Sequence, residues 1–254
     1  MFIYIFLKGI AVVDFNFIFD KPRGLPLGTE GGIFPAIMGT IFLGALSSLF
    51  ASGIALFLSI YLFFYLKKGF YKNFIHSILF FMSGFPSVIF GLVFYTIFIY
   101  KLNIQRSLFT ASLTVAIMII PFITLRLLQI FKYENEEIIL TALSLGYTKS
   151  FTIFKIVLPN TKKQIISAII LGMSYGIGAT APVMFTGAVL FADVPNSIFE
   201  PFMTLPYHLY FLIADGISIE NAYGTAFVLM ILMLIINLLP RIINFEKIRD
   251  MYEQ

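Results

Sequence analysis

Residues 133–187 read YENEEIILTALSLGYTKSFTIFKIVLPNTKKQIISAIILGMSYGIGATAPVMFTG, and this stretch decides the fold. A polar, lysine-bearing segment lies between two apolar runs, each long enough to cross a bilayer. Within it Ile138, Ala142 and Leu145 recur at helical spacing, and so do Phe151, Phe154 and Leu158. Gly146 falls between the two stripes, where a helix can stop with φ > 0. Pro159 follows the second stripe and restricts Leu158 before it. The spacing predicts two short amphipathic helices outside the membrane, joined by a turn at Gly146 and ended by Pro159. Each would present an apolar face that needs a partner.

Composition places the rest of the chain. Of 254 residues, 59% are hydrophobic and 12% charged, against about 25% charged in a soluble domain. So little polar surface cannot face water on all sides, and the apolar runs approach or exceed the ~20 residues that span hydrocarbon. An all-α, polytopic membrane protein with about six transmembrane helices follows, as one domain over 1–254 with its core at 33–243. The expected spans are a short first one at 2–13, interrupted by Lys8, then 33–66, 78–100, 108–131, 165–191 and 222–239. Residues 14–32, 101–107 and 193–221 read as external connections, and 69–77 as an amphipathic piece at the cytoplasmic interface. The N-terminus lacks a cleavable-signal pattern.

Charge orients the spans. Lys67, Lys68, Lys72, Lys132, Lys149, Lys155, Lys162, Lys163, Arg241, Lys247 and Arg249 fall on one side, and only Lys21, Arg23, Lys101 and Arg106 on the other. Positive charge collects in the cytoplasm. Both termini and the segment 132–164 are therefore expected inside, in a multi-pass protein of the cytoplasmic (inner) membrane embedded in lipid. The net charge of +4 reports this topology and not a nucleic-acid surface.

Several chemistries are excluded. No Cys is present, so there is no thiolate chemistry. His76 and His208 stand far apart without ligand spacing, and no His-Glu-x-x-His or phosphate-cradling P-loop occurs. No Asp or Glu falls inside an expected span, which argues against a proton-coupled carrier or an intramembrane protease.

The central stretch resembles the cytoplasmic loop of ABC importer permeases, with Ala142, Gly146, Ile156, Leu158 and Pro159 in register with the family pattern. The run Gly178-Ala179-Thr180-Ala181-Pro182 with Phe185-Thr186-Gly187 resembles phosphate permeases of the PstA type. So do residues 31–40, GGIFPAIMGT, and 221–226, NAYGTA. The resemblance extends from about residue 9 to about 240. It implies the type I permease fold, with residues 132–164 as a coupling-helix pair that docks on an ATPase. The docking residues would be Ala142, Leu143, Leu145, Gly146, Ile156, Leu158 and Pro159. It implies no enzymatic activity and no cofactor bound by this chain, ATP and Mg residing on two partner ATPase subunits (PstB-like). A second permease subunit (PstC-like) and an extracytoplasmic phosphate-binding protein (PstS-like) complete the implied assembly.

Candidate pathway residues are Arg126, Tyr175, Gly178, Thr180, Pro182 and Thr186. Arg126 lies inside an apolar run at a cost of about 2.5–3.5 kcal/mol, and either snorkels to the interface or faces the pathway and attracts an anion. Gly172, Gly176 and Gly178 either let helices pack closely or mark a helix break exposing neutral donors, the Thr180 hydroxyl among them, to an oxyanion. The chain departs from the phosphate family at Tyr175 and Ala179, where the family has Arg and Glu, and at Leu140, where its loop has Glu. Phosphate is thus the first expectation, and molybdate, tungstate or sulfate the alternative.

Overall fold

The computed structural model describes residues 2–66 and 69–252, and side chains throughout these except at 134–136 and 244–252. The expected stop of the second span at Lys67-Lys68 and the cytoplasmic charges at Lys247 and Arg249 lie outside what is described. In order, the helices are α1 (Phe2–Ile10), α2 (Phe15–Phe19), α3 (Phe34–Ile60), α4 (Phe70–Ser83), α5 (Ser87–Phe94) and α6 (Leu108–Ser144). They are followed by α7 (Lys149–Phe151), α8 (Leu158–Ile177), α9 (Ala181–Thr186), α10 (Leu205–Ala214) and α11 (Ile219–Tyr252). The only strands among the described residues, β1 (Pro22–Arg23) and β2 (Glu30–Gly31), form a small antiparallel hairpin before α3.

Among the described residues three helices are long and apolar enough to cross a membrane, namely Phe34–Tyr65, Leu108–Tyr133 and Ile219–Ile243, and the bent pair Phe70–Ser83 with Ser87–Lys101 makes a fourth if it is one broken span. The protein is a multi-pass membrane protein. Its core is the contact of α3 with α6, where Leu43, Ala51 and Ala55 belong to one buried cluster with Val115, Ile119 and Ile123. Hydroxyls inside α3 are satisfied within the helix: Thr40 donates to the Ala36 carbonyl (2.6 Å) and Ser59 to that of Leu56 (2.8 Å). Such back-bonding lets polar side chains sit where no water reaches them.

α8 completes the core through its glycines. A Cβ on Gly172 would lie 2.6 Å from Ile123 and one on Gly176 2.9 Å from Val115. At these two positions the close-packing reading applies, because the α8 backbone rests directly on α6.

α6 begins with a capping box, in which Ser107 Oγ accepts from the Thr110 amide and Thr110 Oγ1 from the Ser107 amide. Ser107→Ala is expected to destabilise the chain by about 1 kcal/mol, read as a lowered thermal midpoint of the purified protein in detergent.

Four expectations require correction. The fourth span and the first cytoplasmic helix are one element: α6 has 37 residues, or about 55 Å, against ~30 Å of hydrocarbon. Its last turns project beyond the membrane, because the charged residues after Phe131 are good helix formers and nothing before Gly146 breaks the chain. Pro159, second, does not end a helix. α7 passes through a π-helical stretch, Thr152–Val157, directly into α8, with the proline in the first turn of α8. The proline is accommodated although the helix is continuous, because the wider π turn just before it relieves the clash of its ring with the preceding turn.

Third, residues 78–100 are not one straight span. α4 and the segment Ser87–Lys101 meet at 98° across residues 84–86, because Pro86 bars residue 85 from the helical region. The amphipathic piece expected at 69–77 is the start of α4. Fourth, 193–221 is not merely an external loop. It contains α10, whose Leu205, His208 and Leu212 are buried, and whose first amide, that of Leu205, donates to Thr40 Oγ1 at 2.8 Å.

Candidate functional site: an exposed patch and a projecting arm

α6 is mostly buried, yet Phe122, Arg126 and Gln129 are exposed along it. Their spacing of four and three residues puts them on one helix face. Opposite, Tyr175 of α8 is 48% exposed and stacks on Phe122 with ring centroids 5.8 Å apart. Arg126 donates from Nη1 to Gln129 Oε1 at 3.3 Å. Neither of the salt bridges formed among the described residues, Lys21–Asp193 and Arg23–Asp20, involves it. The result is one exposed patch within the spans that carries a cation, an amide and a phenol beside an aromatic wall.

The fifth span breaks where its glycines end. α8 stops at Ile177, Gly178 is exposed, and a new helix starts at Ala181. The structure thus separates the glycines: 172 and 176 are for packing, 178 lies at a break. Thr180 is half-buried, and its hydroxyl makes no cap to α9.

Pro182 and Thr186 lie inside the protein. Thr186 donates its hydroxyl to the Pro182 carbonyl (2.7 Å), and its own carbonyl accepts from Thr110 Oγ1 (2.7 Å) and the Ser107 amide (3.3 Å). These two residues tie the N-terminal end of α6 to α9, away from the exposed patch. Arg126, Tyr175 and Gly178 are the pathway candidates at an accessible surface. Phe122 and Gln129 escaped the sequence reading. The signal that could have found them is their helical spacing from Arg126.

The second region is the projecting arm. Gly146 takes φ +82°, its amide donates to the Leu143 carbonyl, and that of Tyr147 donates to the Ala142 carbonyl. This left-handed reversal turns the chain back. Where the two limbs meet, Glu137, Ile138, Thr141, Ala142, Leu145, Tyr147 and Ile156 line a cavity of about 340 Å³. Ala142 is buried, Ile156 and Leu158 are half-buried, and Leu143, Leu145, Gly146 and Pro159 are exposed. Phe154 is exposed as well, and Tyr147 stacks on Phe151 at 4.8 Å. The arm is held together by Ile139, Ile153 and Val157 while offering apolar side chains outward.

Among the described residues there is no group of three or more His, Cys, Asp or Glu that could hold a metal ion. His208, the buried histidine, bonds through Nδ1 to Thr225 Oγ1 at 3.1 Å and braces α10 against α11.

Residues 51–245 match the family described as binding-protein-dependent transport system inner membrane component. The chain is similar to a probable phosphate transport system permease protein PstA of Methanocaldococcus jannaschii, 29% identical over 241 residues covering 89% of this chain and 82% of the relative. A phosphate transport system permease protein PstA of Mycobacterium leprae is 26% identical over 253 residues, 94% of this chain and 79% of the relative. Among solved structures, an inward-facing MetNI methionine ABC transporter superposes with a TM-score of 0.65 at 15% identity, covering 81% of this chain and 92% of that one. A bacterial ABC transporter that imports alginate gives 0.61 at 15%, covering 84% and 78%. These two likenesses concern the fold.

Proposed function

The chain belongs to the family of binding-protein-dependent transport system inner membrane components, and on that premise we propose that it is the PstA-type permease subunit of an ATP-driven phosphate importer. The observation that carries this reading is the similarity to PstA permeases over nine-tenths of the chain; the exposed apolar side chains of the arm, Leu143, Leu145 and Phe154, support it.

The chain forms half of a translocation pathway, whose other half is a second, PstC-like permease. Arg126, Tyr175, Gly178 and Thr180 face the passing anion, while Pro182 and Thr186 fix the helix break behind them. The arm at 134–159 lies in the cytoplasm, as do both termini, and docks on one of two PstB-like ATPases that hold ATP and Mg. A PstS-like binding protein delivers phosphate outside. The chain itself performs no covalent chemistry. Its contribution is a surface that changes access when the ATPases close.

The test is [³²P]phosphate uptake in a strain lacking its own system, together with co-purification of an ATPase subunit. Both are expected with the intact chain, and deletion of residues 138–158 is expected to abolish both. Normal uptake after that deletion would defeat the coupling role. Tyr175 and Ala179, neutral where phosphate permeases carry Arg and Glu, favour a second reading in which the anion is molybdate, tungstate or sulfate. Binding measurements on the cognate external protein separate the two readings.

A further inference from the structure

We infer that Gln129 keeps the Arg126 charge in place and available to a tetrahedral oxyanion; this rests on the pathway reading above. Arg carries only donors, so the Gln129 atom facing it is the carbonyl oxygen, as found at 3.3 Å from Nη1. That bond engages one of five N–H groups and cancels no charge. A carboxylate at the same place would form a charge-assisted pair and neutralise the guanidinium.

The rest of the patch fits the same purpose. Gln129 accepts through Oε1 and keeps its amide nitrogen, with two N–H donors, on the exposed face of α6. One turn away, Phe122 and Tyr175 form an apolar wall against which an electrostatic contact is stronger than in open water. Fixed, uncancelled positive charge beside neutral donors is the arrangement that attracts a phosphate-like anion. A neutral positioning partner lets the anion leave, because no second full charge holds it.

The experiment compares Gln129→Glu and Gln129→Leu with the wild type, in the full assembly, by initial rate of [³²P]phosphate uptake and by thermal midpoint. Gln129→Glu retains an acceptor for Arg126 and strengthens the local contact. A purely structural role, or a guanidinium that only snorkels, predicts unchanged stability and unchanged uptake. The inference predicts an unchanged or raised midpoint with maximal uptake reduced at least about tenfold, since the pair is now neutral and the added carboxylate repels the anion. Gln129→Leu is expected to lower uptake less, because the charge survives without its positioning. Wild-type rates in Gln129→Glu overturn the inference and leave the phosphate reading standing. A wild-type assembly that takes up no phosphate overturns the phosphate reading instead, and is scored on the wild type alone.

Discussion

Replacing both Leu145 and Phe154 with Asp is expected to abolish ATP-driven uptake while leaving the chain folded and in the membrane. Leu145 is 72% exposed and Phe154 56% exposed. Neither holds the arm together, a task that falls to Ile139, Ile153 and Val157. What the two side chains share is an outward apolar surface, one of them at the rim of the cavity between the limbs. A docking subunit would have to desolvate two carboxylates without compensating partners. With about 2 kcal/mol lost at each centrally placed contact, association should weaken by roughly a thousandfold. The measurement is recovery of the ATPase subunit on the tagged permease, followed by uptake. Full recovery with full uptake would show that the partner grips elsewhere.

The second large effect is in the interior. Gly39→Leu is expected to prevent accumulation of the protein in the membrane. A Cβ at Gly39 would collide with the Met203 carbonyl and stand 3.0 Å from the Phe202 ring. The obstacle is backbone, which cannot step aside as a flexible side chain can. α3 would have to withdraw from the segment leading into α10. The bond from the Leu205 amide to Thr40 Oγ1 would part with it, leaving a buried donor without an acceptor at a cost of about 1–3 kcal/mol. Overpacking adds a similar amount, and together these are a large share of a typical domain's stability. Gly53→Leu is the control, because nothing lies within 4 Å of a Cβ there. Immunoblots of the membrane fraction should show the Gly53 variant at wild-type abundance and the Gly39 variant missing. Equal amounts of both would mean that the α3–α10 contact is dispensable.

The parts of this architecture legible in sequence are those governed by local composition. The span expected at 33–66 is found at Phe34–Tyr65, because an apolar run of that length has one stable form in lipid. The reversal at Gly146 is found with positive φ, because an unhindered backbone suits a left-handed turn. What escaped the sequence depends on partners. Charges from Lys132 to Glu137 mark the water boundary but do not stop a helix whose residues favour it. Pro159 reads as a terminator until the π turn before it is seen. The prolines at 201 and 206 suggest loop, yet Pro206 sits in the first turn of α10, and the burial of His208 depends on Thr225 in another helix. At the patch, Arg126 and Tyr175 could be picked out singly. The stacking of Phe122 on Tyr175 that links their two helices could not, because the contact joins residues 53 positions apart.

α6 runs from Ser107 to Leu145 without a joint, its internal Pro121 absorbed in the helix. A beam of about 55 Å that pivots near its midpoint by ~10° carries its two tips ~5 Å in opposite directions. Its N-terminal tip is tied to the carbonyl of Thr186, the last residue of α9. The lower tip is the arm. One unbroken helix thus joins the arm beyond Phe131 to the threonine that closes α9, so the two ends of the molecule share a single rigid element.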